Sequence, residues 1–403
     1  MINKILFIVL DGIGDRPIKE FNYMTPLEYA ETPNLDSLTA RGVCGELYAL
    51  GRGIRPSSDV AHMALFGTDY KALYPGRGPL ELLGLGVRMQ ESDIAWRGNF
   101  CSLNEKGAIV DRRIQRKTPS SELLEDLKCI TIDDTVFEMY HYAEHRFALC
   151  VRGNNLSEFV SDSDPHKEGV CPLTVKPLRS CFEANNTARL LNDYIDTVGK
   201  ICMKHNRGID SIINGVLLRS AGKMPKWDSF ADKYSINNAS CIANNALYAG
   251  IAASLGMDIV NKQHYSDYRE YYSIIPSLVS RQLKESDFVF LHIAEGDLFG
   301  EDGDWLGKKE AIERMDSMLS FLLEINLDET LVVVTADHST PCSLKAHSGD
   351  SVPLVIAASG IRVDEICHFN ERCCSKGSMG TVFGKELMQI IINCCGKAQL
   401  IGG

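Results

Sequence analysis

Two histidines and an aspartate carry the clearest chemical signal in this chain. They lie in Thr335-Ala-Asp-His-Ser-Thr-Pro-Cys-Ser-Leu-Lys-Ala-His347, directly after the apolar run Leu331-Val-Val-Val334. A short continuous apolar run bounded by polar residues reads as a buried strand. Asp337 and His338 therefore fall just past a strand's carboxyl end, and His347 returns nine residues later from a polar loop. A carboxylate and two imidazoles suit a divalent metal ion. A surface loop with idle histidines fits this stretch equally well, so the rest of the chain has to decide.

Two other acids repeat the placement. Ile5 to Leu10 is a continuous apolar run followed by Asp11-Gly12, and Asp297 lies just past Phe288-Val-Phe-Leu-His-Ile293. Such runs typify strands of a parallel sheet covered on both faces. The carboxyl ends of parallel strands share one sheet edge, so Asp11, Asp297 and Asp337 can converge although the chain separates them widely. Asp11 beside Gly12 is also a natural turn former, but three acids in equivalent places are harder to explain structurally. Ser58 belongs to the glycine-rich stretch Gly51-Arg-Gly-Ile-Arg-Pro-Ser-Ser-Asp59, which runs into a helix from about Asp59. A hydroxyl at a helix N-terminus sits near free N–H groups and the positive end of the dipole, a setting for phosphate. An ordinary capping serine is the other reading. With His338 and His347 the set has enough donors for two divalent ions, the arrangement that serves in-line phosphoryl transfer.

The elements that must hold these groups follow from apolar periodicity and chain breakers. Thr32-Pro33 predicts a helix start, with Leu35 and Leu38 on its apolar face and Gly42 at its end. Further helices are expected over Asn185 to about Lys204, Ala243 to Leu255, and Lys308 to about Ile325. Val352-Pro-Leu-Val-Ile-Ala357 reads as a strand near the sheet edge because of Pro353. Tyr74-Pro-Gly-Arg-Gly-Pro-Leu-Glu-Leu-Leu-Gly84 reads as a connection. From about residue 100 to 230 the character changes to short β-like runs, such as Arg146-Phe-Ala-Leu-Cys-Val-Arg152, among polar loops. The prediction is an α/β core with a mainly parallel sheet flanked by helices, residues 1–100 and 231–403, interrupted by a smaller α+β domain over 101–230. That insert concentrates anion-binding candidates: Asp111, Arg112, Arg113 and Arg116, then His145-Arg146, then Asp164 and His166, and Arg219. The planar guanidinium fork suits phosphate or carboxylate, while any one of these groups alone reads as a solvated charged face.

Composition narrows the function classes. A chain of 403 residues exceeds what one core usually carries, which favours two domains or a large insertion. The net charge of −11 argues against nucleic acid or an anionic membrane as partner. The fourteen cysteines are scattered, with two adjacent pairs and no zinc-ribbon spacing, which fits reduced thiols in the cytoplasm. The apolar stretch ending at Leu10 lacks the form of a signal peptide, and no apolar run approaches the roughly 20 residues that span a bilayer. A homo-oligomer is compatible with all of this.

Several motifs together resemble a known family. Ile8-Val-Leu-Asp-Gly12, Thr25-Pro-Leu-Glu28, Thr32-Pro-Asn-Leu-Asp36, Pro56-Ser-Ser-Asp59, Gly76-Arg-Gly-Pro-Leu-Glu81 and Thr335-Ala-Asp-His338 are similar to the archaeal-type cofactor-independent phosphoglycerate mutases of the alkaline phosphatase superfamily. The resemblance continues through Asp111-Arg-Arg, His145-Arg, Asp162-Ser-Asp-Pro-His166 and Asn214-Gly-Val-Leu-Leu-Arg-Ser-Ala-Gly222, in the family's order over nearly the whole chain.

This resemblance implies an alkaline-phosphatase-like core with an inserted substrate-binding lid. It implies interconversion of 3-phosphoglycerate and 2-phosphoglycerate in glycolysis and gluconeogenesis, without 2,3-bisphosphoglycerate. Ser58 matches the serine that is transiently phosphorylated. Asp11, Ser58, Asp337 and His338 match the ligands of one metal, and Asp297 and His347 match ligands of the other. Manganese is the usual family metal, with zinc or cobalt as substitutes. Arg112, Arg113, Arg116, Arg146 and Arg219 become the substrate clamps. Two positions depart from the family. Glu301 stands where the family has a histidine, four residues after the acid matching Asp297, and would favour Mn²⁺ or Mg²⁺. Ser57 stands where the family usually has glycine, and is a rival nucleophile. A metal-dependent hydrolase of phosphate, phosphonate or sulfate esters, or a degenerate non-catalytic member, are the alternatives.

Overall fold

The computed structural model describes residues 2–205, 207–224, 226–261, 265, 267–400 and 402. The chain forms two compact units, Met1–Tyr74 with Trp227–Gly403, and Pro75–Lys226. Strands β1 (Lys4–Leu10) and β2 (Gly42–Tyr48) open the larger unit. The smaller unit holds β3 (Ile94–Leu103), β4 (Ile109–Asp111), β5 (Cys129–Ile132), β6 (Thr135–Ala143), β7 (Arg146–Arg152) and β8 (Gly215–Gly222). The larger unit resumes with β9 (Ala239–Ala243), β10 (Asp258–Ile259), β11 (Phe288–Ile293), β12 (Thr330–Thr335), β13 (Val352–Ala357) and β14 (Gly380–Phe383).

The larger sheet runs in the order β10-β9-β11-β1-β12-β13-β2-β14. At its centre β1 pairs in parallel with β11 and with β12, Leu10 opposite Ile293 and Val9 opposite Thr335. The apolar runs of the sequence are these central strands, buried along almost their whole length. Helices cover both faces of such strands, which is why they carry no polar alternation. The register brings the residues after Leu10, Ile293 and Thr335 to one edge.

Strand β13 is not near the edge. It runs antiparallel between β12 and β2. Pro353 fits there opposite Glu46, and its carbonyl accepts a hydrogen bond from Thr335 Oγ1 at 2.9 Å. The helix after Pro33 ends at Thr39, and Gly42 starts β2 instead. A Cβ at Gly42 would come within 2.7 Å of the Ile356 carbonyl across the strand pair. Ala243 ends a strand, and the helix after it begins at Ala246 behind the Asn245 cap.

The smaller unit begins at Pro75 rather than at residue 101. Arg77–Gly84 is a helix, not a connection. It lies so close to β3 that a Cβ on Gly78 would sit 2.6 Å from the backbone of Ala95 and Trp96. Gly78 permits that approach, and Gly76 permits another, since a Cβ there would lie 2.5 Å from the Ala221 carbonyl of β8. The β4-β3-β7-β6-β5 sheet, with β8 on β3, is antiparallel and two-faced. One face packs Trp96, Phe100, Phe147, Leu149 and Leu218 against the helix Phe182–Cys202, with Tyr194 stacked on Phe137 at 4.6 Å. The other carries Ala95, Ala148 and Cys150 against Leu82 and Met89. Among the described residues no helix is long and apolar enough to cross a membrane.

One buried cation ties the strand-end edge of the larger unit together. Lys308 is fully buried, on a helix that runs Trp305–Met318 behind the cap Asp304. Its ammonium donates at 2.9 Å to the Gly14 carbonyl, to Asp15 Oδ2 and to the Thr340 carbonyl. These acceptors belong to the loops that follow β1 and β12. Removing one partner of a buried ion pair leaves an uncompensated charge. Lys308→Met should therefore lower stability by about 3–5 kcal/mol. Urea titration reads this directly, and a loss below ~1 kcal/mol, the level of an exposed pair, would contradict it.

Candidate metal and phosphotransfer site

Three loops at the sheet's carboxyl edge bring the expected groups together. Ligand atoms of Asp11, Asp337 and His338 lie within 4.8 Å of one another, and so do those of Asp297, His338 and His347. His338 thus belongs to both sets, where the sequence reading gave it to one. Its Nε2 is 3.1 Å from Ser58 Oγ, 3.1 Å from Asp337 Oδ2 and 3.4 Å from Asp11 Oδ1. The rings of His338 and His347 stack with centroids 3.6 Å apart.

Ser58 is the first residue of the helix Ser58–Leu65, and Ser57 precedes it with an ordinary extended backbone, φ −87°. Glycine is therefore not required at 57. Ser57 is exposed while Ser58 is buried beside His338. Of the two hydroxyls, Ser58 alone meets the cluster.

The local hydrogen bonds aim each ligand. Tyr248 donates its hydroxyl to Asp11 Oδ2, and His292 Nε2 lies 3.3 Å from the same oxygen. Asp11 Oδ1 has no hydrogen-bond partner. Asp337 Oδ1 accepts from the backbone N–H of His338 at 3.0 Å and of Gly12 at 3.3 Å, while its Oδ2 has no partner. His347 Nδ1 faces the Pro56 carbonyl at 3.0 Å. A carbonyl can only accept, so Nδ1 carries a proton, and in the neutral imidazole that a metal ligand requires Nε2 turns its lone pair towards Asp297 Oδ1, 3.5 Å away. Gly12 matters here, with φ +65° and room for no Cβ, which would fall 2.7 Å from Asp297 and from Thr340 Oγ1.

The electrostatics of the cluster point to a bound cation as well. Burial, and then the charge of Asp11, push the carboxyls of Asp337 and Asp297 well above the usual range. Asp11 goes the other way: burial opposes its ionisation, but the neighbouring His292 and the hydroxyl of Tyr248 hold it low. Burial drives His338 well below its usual value, the neutral state that a metal ligand needs. Two buried carboxylate oxygens without partners, around a neutral imidazole nitrogen, are costly unless a cation lies between them. The oxygen-rich donor set fits a divalent ion.

Glu301 is not in either set. It is exposed, one turn beyond Asp297 on the helix Glu295–Asp302, and its charge adds to the upward push on Asp297. Tyr248, His292, His62 and Thr340 were not found from the sequence. His292 left a trace, a polar residue inside an apolar strand. His62, whose Nδ1 lies 2.7 Å from the Ser58 carbonyl, follows Ser58 by one helical turn. Tyr248 sits in an apolar helix and left none.

In the smaller unit Arg146 and Arg219 lie on strands, and Arg112, Arg113, Arg116, His145 and His166 lie on the loops and short turns between them. Arg112 meets Asp164 with two bonds, 2.7 and 3.1 Å. Arg219 Nη1 lies 3.3 Å from Asp164 Oδ2 and 3.4 Å from His166 Nδ1. Asp111 instead shapes its loop, accepting from the backbone N–H of Arg113 and of Gln115 at 2.7 Å. Asp111, Arg112, Arg113 and His166 line an open cavity of about 400 Å³. His145 is pushed down to about 2 by burial and by the charges of Arg146, Arg113, Arg97 and Arg116. Arg97 was missed by the sequence reading. It lies on β3 opposite Arg219 on β8, 3.5 Å from Glu81. Burial, and then Arg97, lower the Arg219 guanidinium to about 9.

Comparison with known proteins agrees with this geometry. Residues 3–394 match the model of the metalloenzyme superfamily. The chain is 37% identical to the 2,3-bisphosphoglycerate-independent phosphoglycerate mutase 1 of Methanocaldococcus jannaschii, over 99% of both chains. It is 36% identical to the 2,3-bisphosphoglycerate-independent phosphoglycerate mutase of Thermoplasma volcanium, over 100% of this chain and 99% of that one. The solved cofactor-independent phosphoglycerate mutase from Thermoplasma acidophilum matches with a TM-score of 0.69 at 32% identity, over 98% of this chain and 100% of that one. The chain therefore belongs to the metalloenzyme superfamily, and within it to the 2,3-bisphosphoglycerate-independent phosphoglycerate mutases.

Proposed function

We propose that this chain interconverts 3-phosphoglycerate and 2-phosphoglycerate through a phosphoserine on Ser58. The observation that carries this reading is the meeting of Ser58 Oγ with His338 Nε2 beside two partnerless oxygens, Asp11 Oδ1 and Asp337 Oδ2. Asp11, Ser58, Asp337 and His338 would hold one divalent ion. Asp297 and His347 would hold a second, with Glu301 turning in from the next turn of its helix. An oxygen-rich set with a glutamate favours Mn²⁺ or Mg²⁺ over Zn²⁺ or Co²⁺. Bound divalent ions would lower the pKa of the serine hydroxyl and neutralise charge on the phosphoryl oxygens.

The chain's own groups do the rest. Ser58 Oγ forms a bond to phosphorus as the substrate's ester O–P bond breaks, and the proton lost by Ser58 ends on the freed hydroxyl of glycerate. The other hydroxyl then attacks phosphorus, Ser58 leaves, and the proton returns to it. Glycerate must stay bound meanwhile, or water takes its place and free phosphate results. Arg112, Arg113, Arg116, Arg146 and Arg219 are the groups we assign to the substrate's carboxylate and phosphate, with His145 and His166 beside them. Fourteen free thiols suit a reducing cytoplasm.

Ser58→Ala should reduce mutase turnover by on the order of 10³-fold or more, as removal of a nucleophile does, while Ser57→Ala stays near wild type. A coupled assay for 2-phosphoglycerate, run without 2,3-bisphosphoglycerate, measures both, and an active Ser58→Ala protein refutes the phosphoserine. Chelated protein should gain about 2.7 kcal/mol of stability at Mn²⁺ a hundredfold above its Kd. Thermal melts would show no shift if no ion binds. Glu301→Gln should weaken the second ion in calorimetric titration, and wild-type affinity there would remove Glu301 from the ligand set.

A further inference from the structure

We propose that Thr340 is a positioning residue whose single hydroxyl couples the two ligand sets. This rests on the two-ion reading above. Thr340 is fully buried. Its hydroxyl donates to Asp297 Oδ1 at 2.6 Å and lies 3.1 Å from His338 Nδ1. A hydroxyl has one proton. An ionised Asp297 carboxylate, the form that ligates a cation, can only accept and takes that proton, so the hydroxyl oxygen accepts from His338, and His338 carries its proton on Nδ1. The lone pair of His338 is then on Nε2, the nitrogen that faces Ser58, Asp11 and Asp337. One side chain thus sets the tautomer of the imidazole shared by both sets and anchors the carboxylate of the second.

The surroundings leave Thr340 no other arrangement. Its N–H donates to the Gly14 carbonyl at 3.0 Å, and its carbonyl accepts from Lys308 at 2.9 Å. Gly12 and Gly300 give it space: a Cβ on Gly12 would be 2.7 Å from Oγ1, and one on Gly300 would be 2.5 Å from the Thr340 carbonyl and 2.8 Å from its methyl carbon. All its polar atoms are committed, and its rotamer is enclosed by backbone that carries other ligands. Hydrogen bonds of this kind to ligating histidines typically govern metal affinity 10–100-fold.

Thr340→Val keeps the shape and removes the hydroxyl, and Thr340→Ser keeps the hydroxyl. Calorimetric titration with Mn²⁺ alone should show both ions weakened about 10–100-fold in Thr340→Val and near wild type in Thr340→Ser. ¹⁵N spectra of histidine-labelled, metal-free protein, recorded above the pH at which Asp297 ionises, should place the His338 proton on Nδ1 in wild type and redistribute it in Thr340→Val. A structural role alone would lower the melting temperature without moving the tautomer. Weakening of one ion only, unchanged affinity in Thr340→Val, or an Nε2–H tautomer in wild type would each overturn the proposal. The tautomer measurement decides the matter even if Thr340→Val does not fold. Wild-type protein that takes up fewer than two ions would instead refute the two-ion reading, and would leave the tautomer result to judge Thr340.

Discussion

The catalytic edge of the larger unit hangs on one buried ammonium. Lys308 holds Gly14, Asp15 and Thr340 with three bonds of equal length, and so joins the loop that starts at Asp11 to the loop that starts at Asp337. Asp15 extends the link, since its carboxylate also accepts from the Cys342 N–H at 3.1 and 3.2 Å. Its own N–H donates to Glu371 at 3.0 Å. An isolated charge in such a place would be prohibitive, and it is tolerated because every proton of the ammonium is matched. Lys308 shares its helix with Ile312 and Met315, which are buried as it is. Loops that would otherwise be mobile are thereby held to the spacing that ligands need.

Within that fixed frame the site itself is electrostatically unrelieved. Burial first, and then the charge of Asp11, make Asp297 and Asp337 resist ionisation. Tyr248 and His292 favour the ionised form of Asp11 alone. The oxygens left without partners face His338. A protein built only for stability would pair or remove such oxygens, and retaining them is the mark of a place meant for a cation.

The smaller unit follows a different logic, that of a two-faced antiparallel sheet. Strand β3 alternates Trp96 and Phe100 towards the helix Phe182–Cys202 with Ala95, Arg97 and Asn99 on the other face. Phe147 fills the space above Gly98, where a Cβ would lie 2.1 Å from its ring. Register then sets Arg219 opposite Arg97 and Arg146 opposite Asn99. The guanidinium groups collect on one face because the pleat repeats every two residues. Arg97 was not legible because Trp96-Arg-Gly-Asn-Phe100 looks like an interrupted run until its partners are known, and Gly76 and Gly78 looked like a linker until β8 and β3 lay against them.

By itself the sequence determined the central strands, the acids at their ends, Ser58 at a helix start and the family. The reason is that a strand buried on both faces must be apolar throughout and must stop where a polar ligand begins, so strand and site share one boundary in the chain. Tertiary structure decided what depends on partners distant in sequence: that β13 lies inside the sheet, that the smaller unit starts at Pro75, and that His338 serves both ligand sets. It also decided which nitrogen of His338 and His347 faces the site, which oxygen of Asp11 is bare, and that Glu301 is exposed on the turn after Asp297. Those outcomes depend on hydrogen bonds between loops from different strands, such as Thr340 to Asp297 and Tyr248 to Asp11. No local periodicity encodes a bond between residues so far apart, so only the folded register could place the donor beside its acceptor.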